Sequence, residues 1–391
     1  MTALFRGKLD EAGARIEEAL SLFRGAHDLR GEAWALQNLA WMAFIEGEYT
    51  KAEKRLEVSA ATFAEIGDWG GVSWALGLLA WVRFTQGRLE EARELAVRIH
   101  LEARELGNRW AGAMMNVLLA NISLWTGDPA GAIDQARAAV EIFRGLSDPW
   151  GELQAMAPLI LAMTFTGQYP KAQALIDEIE TVGFQVIDET MARFPSMVRV
   201  SIAVIAGDDL AYQMAHDYLG DLGGQRFVND EQRMLRGLAC LQHGAVDEAL
   251  DVLENARELA LGAGSDAAAT VAYALTLVAA GRPNEALAVC ADAEGTLVTY
   301  ADRWRHGVAC AFAAAGVGDR ASADATMAEI LTAIDDTDAT LDRALVRIAA
   351  STLWSGEPRG DVAAAEALDL LASAGTDAAG WRRLFGLLAP R

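Results

Sequence analysis

The chain has 391 residues and is strongly acidic, because 55 Asp and Glu outnumber 33 Lys and Arg and leave a formal net charge of -22 at pH 7. This charge repels nucleic-acid phosphates and anionic membrane surfaces over a Debye length of about 8 Å at physiological salt, so we expect no direct contact with nucleic acid or membrane. No signal peptide opens the chain, and no uncharged apolar run reaches the ~18 residues of a spanning helix. We therefore expect a soluble, cytoplasmic protein.

A glycine recurs at a fixed spacing along most of the chain. The spacing is forty residues up to Gly207 and thirty-seven residues from there to Gly318. Most of these glycines open a short phrase that ends in alanine, as in residues 47–52 and 87–92. A period of about twenty to fifty residues is typical of a solenoid, in which each unit buries its apolar face against its neighbours. The recurring glycines are Gly7, Gly47, Gly87, Gly127, Gly167, Gly207, Gly244, Gly281 and Gly318.

Residues 68–99 show how one repeat is built. Gly67 can end the previous helix in the left-handed conformation, and Asp68 can accept the first free amides of the next helix. A first helix, A, then runs towards Gly87, and a second helix, B, follows it. Apolar residues recur at spacings of three and four in both helices, which predicts an antiparallel pair with two facing stripes. The stripes are Leu76, Leu79 and Ala80 in helix A and Ala92, Ala96 and Ile99 in helix B.

Residues 38–52 carry a recurring motif. A small residue follows Leu39 in helix A, Gly47 precedes an acidic and aromatic turn, and Ala52 lies in helix B. This motif resembles the tetratricopeptide repeat, and the resemblance covers nearly the whole chain. It implies an all-α fold, a right-handed superhelical solenoid of antiparallel helix pairs with repeats of about 40 residues.

Repeats of this length are similar to those of bacterial signalling regulators. They resemble the C-terminal regions of activators of the maltose-regulator type and of actinobacterial class III adenylate cyclases with an ATPase core. The Ala-rich, acidic composition and the sequence of residues 378–386 are similar to those of the cyclases. The resemblance implies a sensor or protein-binding module rather than an enzyme, with an ATPase, cyclase or DNA-binding domain upstream in the same protein.

The resemblance also implies which helix A positions face the concave groove. Counted back from the turn glycine, they lie 13, 10, 6, 3 and 2 residues before it. In three successive repeats these positions hold Trp34, Gln37, Trp41, Phe44 and Ile45, then Trp74, Gly77, Trp81, Phe84 and Thr85, then Met114, Val117, Asn121, Leu124 and Trp125. The first half of the groove is therefore rich in aromatic residues, whereas the positions near the C-terminus hold Ala268, Val271, Leu275, Val278 and Ala279.

Aromatic side chains at these positions predict a binding surface. Seven of them at about 150 to 250 Å² each, even half exposed, make an apolar patch of at least about 500 Å², which is large for a soluble monomer. The alternative is that they pack helix A against helix A. A second set, Trp69, Trp110 and Trp150, falls near the connections, where we predict wedges between repeats. The candidate ligand-binding residues are Trp34, Gln37, Trp41, Phe44, Trp74, Trp81, Phe84, Met114, Asn121 and Trp125.

The usual signatures of enzyme chemistry are absent from the sequence. It contains no Gly-x-x-x-x-Gly-Lys-Ser/Thr loop, no His-Glu-x-x-His motif and no Gly-x-Ser-x-Gly elbow. Cys240, Cys290 and Cys310 lie far apart in apolar stretches, and the five histidines lack metal-ligand spacing. We therefore expect plain core cysteines and no catalytic site, metal or cofactor.

Three segments are expected within one continuous solenoid. They are residues 1–182 with regular repeats and the aromatic concave face, residues 183–230 as an irregular joint, and residues 231–391 with shorter repeats and a C-terminal capping helix. The capping helix has Trp381, Leu384, Phe385 and Leu388 at helical spacing. The chain begins six residues before Gly7, so we expect the apolar face of the first helix B to lack a partner. That favours a fragment of a longer protein or a homodimer through the N-terminal end.

Two functions remain open at this level. The first is a binding or sensor module of a bacterial signalling or transcription-regulating protein, whose groove takes an apolar small effector, an amphipathic peptide or a protein segment. The second is a free-standing scaffold or co-chaperone that collects partner peptides along an acidic groove.

Overall fold

The computed structural model describes residues 9–183, 194–220, 230–263 and 267–389, and within these ranges it contains twenty α-helices, one 3₁₀ turn and no strand. The helices are α1 (Leu9–Gly25), α2 (Leu29–Ile45), α3 (Tyr49–Glu65), α4 (Trp69–Thr85), α5 (Leu89–Glu105), α6 (Arg109–Thr126), α7 (Pro129–Leu146), α8 (Pro149–Phe165), α9 (Tyr169–Gly183), α10 (Phe194–Ala206), α11 (Ala211–Gly220), α12 (Asp230–His243), α13 (Val246–Ala263), α14 (Ala267–Ala279), α15 (Pro283–Ala293), α16 (Tyr300–Gly316), α17 (Arg320–Asp335), α18 (Thr340–Leu353), α19 (Pro358–Ala374) and α20 (Ala379–Leu388). The even-numbered helices are the A helices and the odd-numbered ones the B helices. None of the described helices has the length and apolar character that crossing a membrane requires.

A helices pack against the B helices that follow them, as α2 does against α3, α4 against α5 and α18 against α19. The B helix then packs against the next A helix, as α3 does against α4. Short connections reverse the chain between the two helices of a pair. The predicted antiparallel pairs are thus present. The repeated spacing of forty residues places Ala52, Ala92, Ala132 and Ala172 at fully buried positions of successive B helices.

The connections follow from local chemistry. The turn glycines between A and B helices adopt left-handed backbone, for example Gly47 at φ 78° and Gly244 at φ 94°, a conformation that costs an L-residue with a side chain about 1 kcal/mol or more. At the start of the A helices, Asp28 and Asp68 each accept a 3.0 Å hydrogen bond from a backbone amide three residues on. The period in the sequence therefore corresponds to repeated helix ends.

Contacts divide the chain into two compact units. Among the described residues, unit 1 comprises 9–122 and 134–155, and unit 2 comprises 123–133, 156–183 and the residues from 194 onward. The irregular joint that we expected at 183–230 includes 184–193 and 221–229, which lie outside the described residues. Helices α10 and α11 lie within that segment and form an A and B pair like the others.

In unit 1, the apolar face of α1 packs against α2. Leu20 is buried with Leu36 and Leu39 of α2, and Ile16 and Phe23 pack against the same cluster. We expected this face to lack a partner, and that expectation is wrong, because the helix that follows α1 covers the stripe. This stripe is therefore not an unpartnered face that would favour a dimer through α1.

In unit 2, the last helix does not simply extend the row of A helices. Helix α20 packs against α12 and α14 as well as α18. Its Trp381, Leu384 and Phe385 have no solvent exposure. The Trp381 indole donates a 2.9 Å hydrogen bond from Nε1 to the Ile205 carbonyl of α10. Helix α20 therefore lies across several A helices of its own unit.

Candidate binding surface

The aromatic residues of α2 and α4 occupy equivalent places because the two helices are one repeat apart. Trp34 and Trp74 lie two helical turns before Trp41 and Trp81, about 10 Å along the helix axis on the same face. Trp34 is 41% and Trp74 is 38% exposed. Each of the two helices thus carries one exposed indole at the same place, with Trp41 or Trp81 further along.

The second pair lines a notch between α2 and α4. Trp41 stacks on Phe44 with ring centroids 5.3 Å apart, and Trp81 meets Phe84 edge to face at 6.0 Å. The notch is shallow and encloses no space large enough for a water molecule. Its lining residues are Ala40, Trp41, Phe44, Leu56, Leu78, Trp81 and Val82. Trp41, Phe44 and Trp81 are half-buried, so they both support the helix packing and present apolar surface.

The other candidate residues differ in accessibility. Phe84 is only 6% exposed and Gln37 only 3%, so each belongs mainly to the core. The Gln37 Oε1 atom is buried without a hydrogen-bond partner. Met114, Asn121 and Trp125 of α6 are half-buried, and the Asn121 side-chain amide donates to the Val117 carbonyl at 2.9 Å. The accessible aromatic surface of unit 1 therefore concentrates on α2 and α4.

A ladder of stacked indoles continues from α4 to the next repeats. Trp74 stacks on Trp110 at 5.0 Å between ring centroids, and Trp110 stacks on Trp150 at 6.4 Å, with interplanar angles of 17° and 14°. Trp110 Nε1 also donates a 2.7 Å hydrogen bond to Asp148, which caps α8. Trp110 and Trp150 thus bridge successive repeats, as a wedge would. The ladder joins Trp110 and Trp150 of the second tryptophan set to Trp74 of the first.

Ion pairs fix the end of this surface nearest the turns. Glu53 of α3 accepts a 2.7 Å hydrogen bond from Arg88 in the turn before α5, and Arg83 of α4 lies 3.4 Å from the same carboxylate. Burial acts to raise the pKa of Glu53, but the hydrogen bonds from Arg88 and Gln86 outweigh it, so this pKa lies below its ordinary value. The carboxylate therefore stays ionised and links α3, α4 and α5.

In unit 2, helix α20 contacts the A helices at groove positions. Counted back from the turn glycines, Ile205, Gln242 and Arg305 stand at groove positions, and all three contact α20. The Gln242 carbonyl accepts a 2.9 Å hydrogen bond from Arg383, and the Arg305 guanidinium lies over the Trp381 ring at 5.8 Å. These three groove positions of unit 2 are thus in contact with a helix of the chain itself.

Comparison with known proteins identifies the fold. No protein-family model and no curated protein matches the chain. Among solved structures, the apo form of the quorum sensor NprR from B. thuringiensis is similar at 14% identity and a TM-score of 0.51, covering 84% of this chain and 98% of that one. A tetratricopeptide repeat protein from Parabacteroides merdae (14% identity, TM-score 0.42, 68% and 93% coverage) and the APC/C Cut9–Hcn1 hetero-tetramer (12%, 0.49, 95% and 78%) are also similar.

Likeness at this level of identity establishes the fold alone. The chain is an all-α protein built of tetratricopeptide-like helical repeats, and the predicted fold class is confirmed. The particular regulator types suggested by the sequence stay predictions.

One group of functional interest escaped the sequence reasoning. Cys290 and Cys310 do not lie far apart as expected, since their sulfurs and a ring nitrogen of His306 are all within 4.8 Å of one another. The signal was the spacing of four residues between His306 and Cys310 on one helix. A hydrogen bond from the Cys290 thiol, together with His306, lowers the pKa of Cys310, whereas burial raises the pKa of Cys240 to about 12.

Proposed function

We propose that unit 1 is a binding module whose A-helix face, at Trp34, Trp41, Phe44, Trp74 and Trp81, takes a basic amphipathic helix of a partner protein. The observation that supports this most strongly is the place of α20 in unit 2. There an amphipathic helix contacts groove positions of the A helices and buries Trp381, Leu384 and Phe385 completely. An amphipathic helix that binds in a groove uses apolar anchor residues spaced three and four apart, as Trp381, Leu384, Phe385 and Leu388 of α20 are.

The chemistry of α20 also defines the expected occupant. Its residues 379–388 contain two arginines and no acidic residue, and its apolar anchors recur at helical spacing. The chain as a whole carries a net charge of -22. A basic helix is therefore attracted to the protein before contact, and its apolar face can then cover exposed indoles.

A small apolar effector is the less favoured occupant of this surface. The notch beside Trp41 and Trp81 is shallow and encloses no space large enough for a water molecule. Pockets for small molecules typically have about 300 to 1,000 Å³ and enclose most of the ligand. An elongated surface with exposed indoles suits a protein segment better.

The proposed role is non-catalytic and belongs to signalling. The shared fold with a quorum sensor supports a module that senses or relays rather than one that turns over substrate. The upstream regulatory domain and the transcriptional role implied by the sequence resemblance are part of this proposal. A free-standing scaffold that binds peptides is the alternative, and it would use the same surface.

The test is a binding measurement with a labelled peptide of residues 377–389, together with a panel of basic amphipathic helical peptides, added to the intact chain. We expect saturable binding by fluorescence anisotropy. The double variant Trp41→Ala and Trp81→Ala should weaken it at least about tenfold, since buried tryptophan anchors typically contribute about 2 kcal/mol or more. Trp69→Ala is the matched control, because Trp69 is 66% exposed on α4 outside the proposed surface.

Circular dichroism of each variant keeps the result interpretable. Retained helical signal with lost binding supports a binding surface. Binding by the double variant at wild-type strength, or no binding of any peptide in the panel, contradicts the proposal. A peptide that displaces α20 from unit 2 would bind equally well to the wild type and to the double variant. The double variant therefore distinguishes binding at the aromatic surface of unit 1 from binding at the α20 site of unit 2.

A further inference from the structure

Helices α15 and α16 bring two cysteines and a histidine together in unit 2. Cys290 lies near the end of α15, and His306 and Cys310 lie one turn apart on α16, where a spacing of four residues places them on one face. The two sulfurs and a ring nitrogen lie within 4.8 Å of one another. Cys290 is buried, and His306 and Cys310 are half-buried. The cluster is thus compact and reaches the surface on one side.

The distances correspond to those of a metal centre. In tetrahedral zinc sites the Zn–S bond is about 2.3 Å and the Zn–N bond about 2.05 Å, which places a sulfur and a nitrogen ligand about 3.6 Å apart. Cys310 Sγ lies 3.6 Å from His306 Nε2 and 3.8 Å from Nδ1. Because Sγ is nearly equidistant from both ring nitrogens, it lies over the face of the imidazole. Sharing one ion therefore requires the His306 ring or the Cys310 side chain to rotate until a lone pair of the ring points towards the shared ion.

A backbone hydrogen bond orients the imidazole. His306 Nε2 lies 2.8 Å from the Cys290 carbonyl oxygen, so this nitrogen carries the proton and donates it to the carbonyl. The lone pair is then on Nδ1, which is the nitrogen 3.8 Å from Cys310. Metal-ligating histidines characteristically make this kind of hydrogen bond with the nitrogen that does not bind the ion.

We propose that Cys290, His306 and Cys310 form a three-ligand site for a divalent cation that prefers sulfur and nitrogen, with Zn²⁺ as the expected ion. Two cysteines and one histidine match the donor set of known zinc sites. Three protein ligands leave the fourth position to water, on the side where His306 and Cys310 reach solvent. An ion there joins α15 to α16 and stabilises unit 2 by an amount that rises with the logarithm of the free ion concentration above the dissociation constant.

The experiment uses the full-length, reduced chain and Cd²⁺ as a spectroscopic probe. Thiolate-to-cadmium charge-transfer absorption in the ultraviolet should rise to a plateau at one equivalent, and Zn²⁺ should abolish it by competition. Cys290→Ala with Cys310→Ala should remove the band, and His306→Gln should weaken binding at least about tenfold. Cys240→Ala is the matched control, since Cys240 is buried outside the cluster and should leave the titration unchanged.

Thermal unfolding gives an independent readout. Zn²⁺ should raise the midpoint of the intact chain and of Cys240→Ala, but not that of the double cysteine variant. If the double variant does not fold, Cys310→Ser alone replaces it, because this half-buried position tolerates the change better. An intact, reduced chain without a charge-transfer band overturns the proposal. So does a band that Cys240→Ala diminishes as much as Cys310→Ser, or binding that His306→Gln leaves unchanged.

Discussion

Replacing one turn glycine tests whether α20 is held where it lies. Gly207 follows α10, has φ 69°, and its carbonyl accepts a 2.8 Å hydrogen bond from the Gly380 amide. A Cβ added at Gly207 would stand 2.6 Å from Cδ1 of Trp381 and 3.1 Å from its backbone nitrogen. Gly244 occupies the equivalent turn after α12 with φ 94°, and a Cβ there would meet no heavy atom within 4 Å. The two alanine variants therefore differ in the contact with α20.

The expected magnitudes follow from these geometries. Both variants place an alanine in left-handed backbone, which costs about 1 to 2 kcal/mol. Only Gly207→Ala adds overpacking against a fully buried indole, which typically costs a further 1 to 3 kcal/mol or so. Trp381 cannot move away easily, because its Nε1 hydrogen bond and its contact with Phe385 at 5.6 Å fix the ring. The difference between the variants should therefore be about 1 to 3 kcal/mol.

Native-state hydrogen exchange measures this difference locally, which matters because a long repeat chain need not unfold in one step. The amides of α20 should exchange about five- to 150-fold faster in Gly207→Ala than in Gly244→Ala, the fold-change that corresponds to this energy difference. Equal protection of α20 in the two variants would refute the reasoning, since the helix would then not depend on contact with the turn at Gly207. Faster exchange confined to α10 would do the same.

Two further substitutions test buried polar contacts. Because the folded pKa of Glu53 is lowered, its contribution to stability is complete above about pH 4.5 and is lost as the pH falls through the folded pKa. Glu53→Gln should therefore reduce the difference in thermal midpoint between pH 7 and pH 3, and an unchanged difference would contradict the role of Arg88. Tyr300→Phe removes a 2.7 Å hydrogen bond to the fully buried Asp342 and should cost about 1.5 to 3 kcal/mol in urea unfolding. Tyr212→Phe, whose partner carboxylate is one-third exposed, should cost less, and equal costs would count against this account.

The parts of the fold that the sequence predicts are local ones. Asp68 caps the helix that follows it, and Gly47 ends the helix before it, because the side chain and the φ angle act within a few residues. Repetition of such ends at forty residues defines the helix pairs, and Ala52 at a buried B-helix position follows from the same register. These features need no knowledge of how distant repeats meet.

The features that escaped prediction depend on contacts between elements. Stacking of Trp74 on Trp110 is set by the angle between successive A helices, which no spacing in the sequence states. The approach of Cys290 to Cys310 likewise depends on how α15 packs against α16. The contact of Trp381 with Ile205 joins residues 176 positions apart, and it arises from small rotations summed over many repeats. The total rotation between residues 205 and 381 depends on every packing contact between the repeats that separate them.

The contrast between the groove residues of the two units bears on how a partner would bind. In unit 2, α14 carries Ala268, Val271 and Leu275 at its groove positions, and these smaller side chains leave room for α20 to pack against it. In unit 1, the indoles of α2 and α4 occupy the corresponding volume, so a helix bound there would lie over the rings and further from the A-helix backbones than α20 does. Such a helix buries less surface than α20 and is not tethered to the chain. Its binding should therefore be weaker and reversible, as a module that senses a changing partner concentration requires.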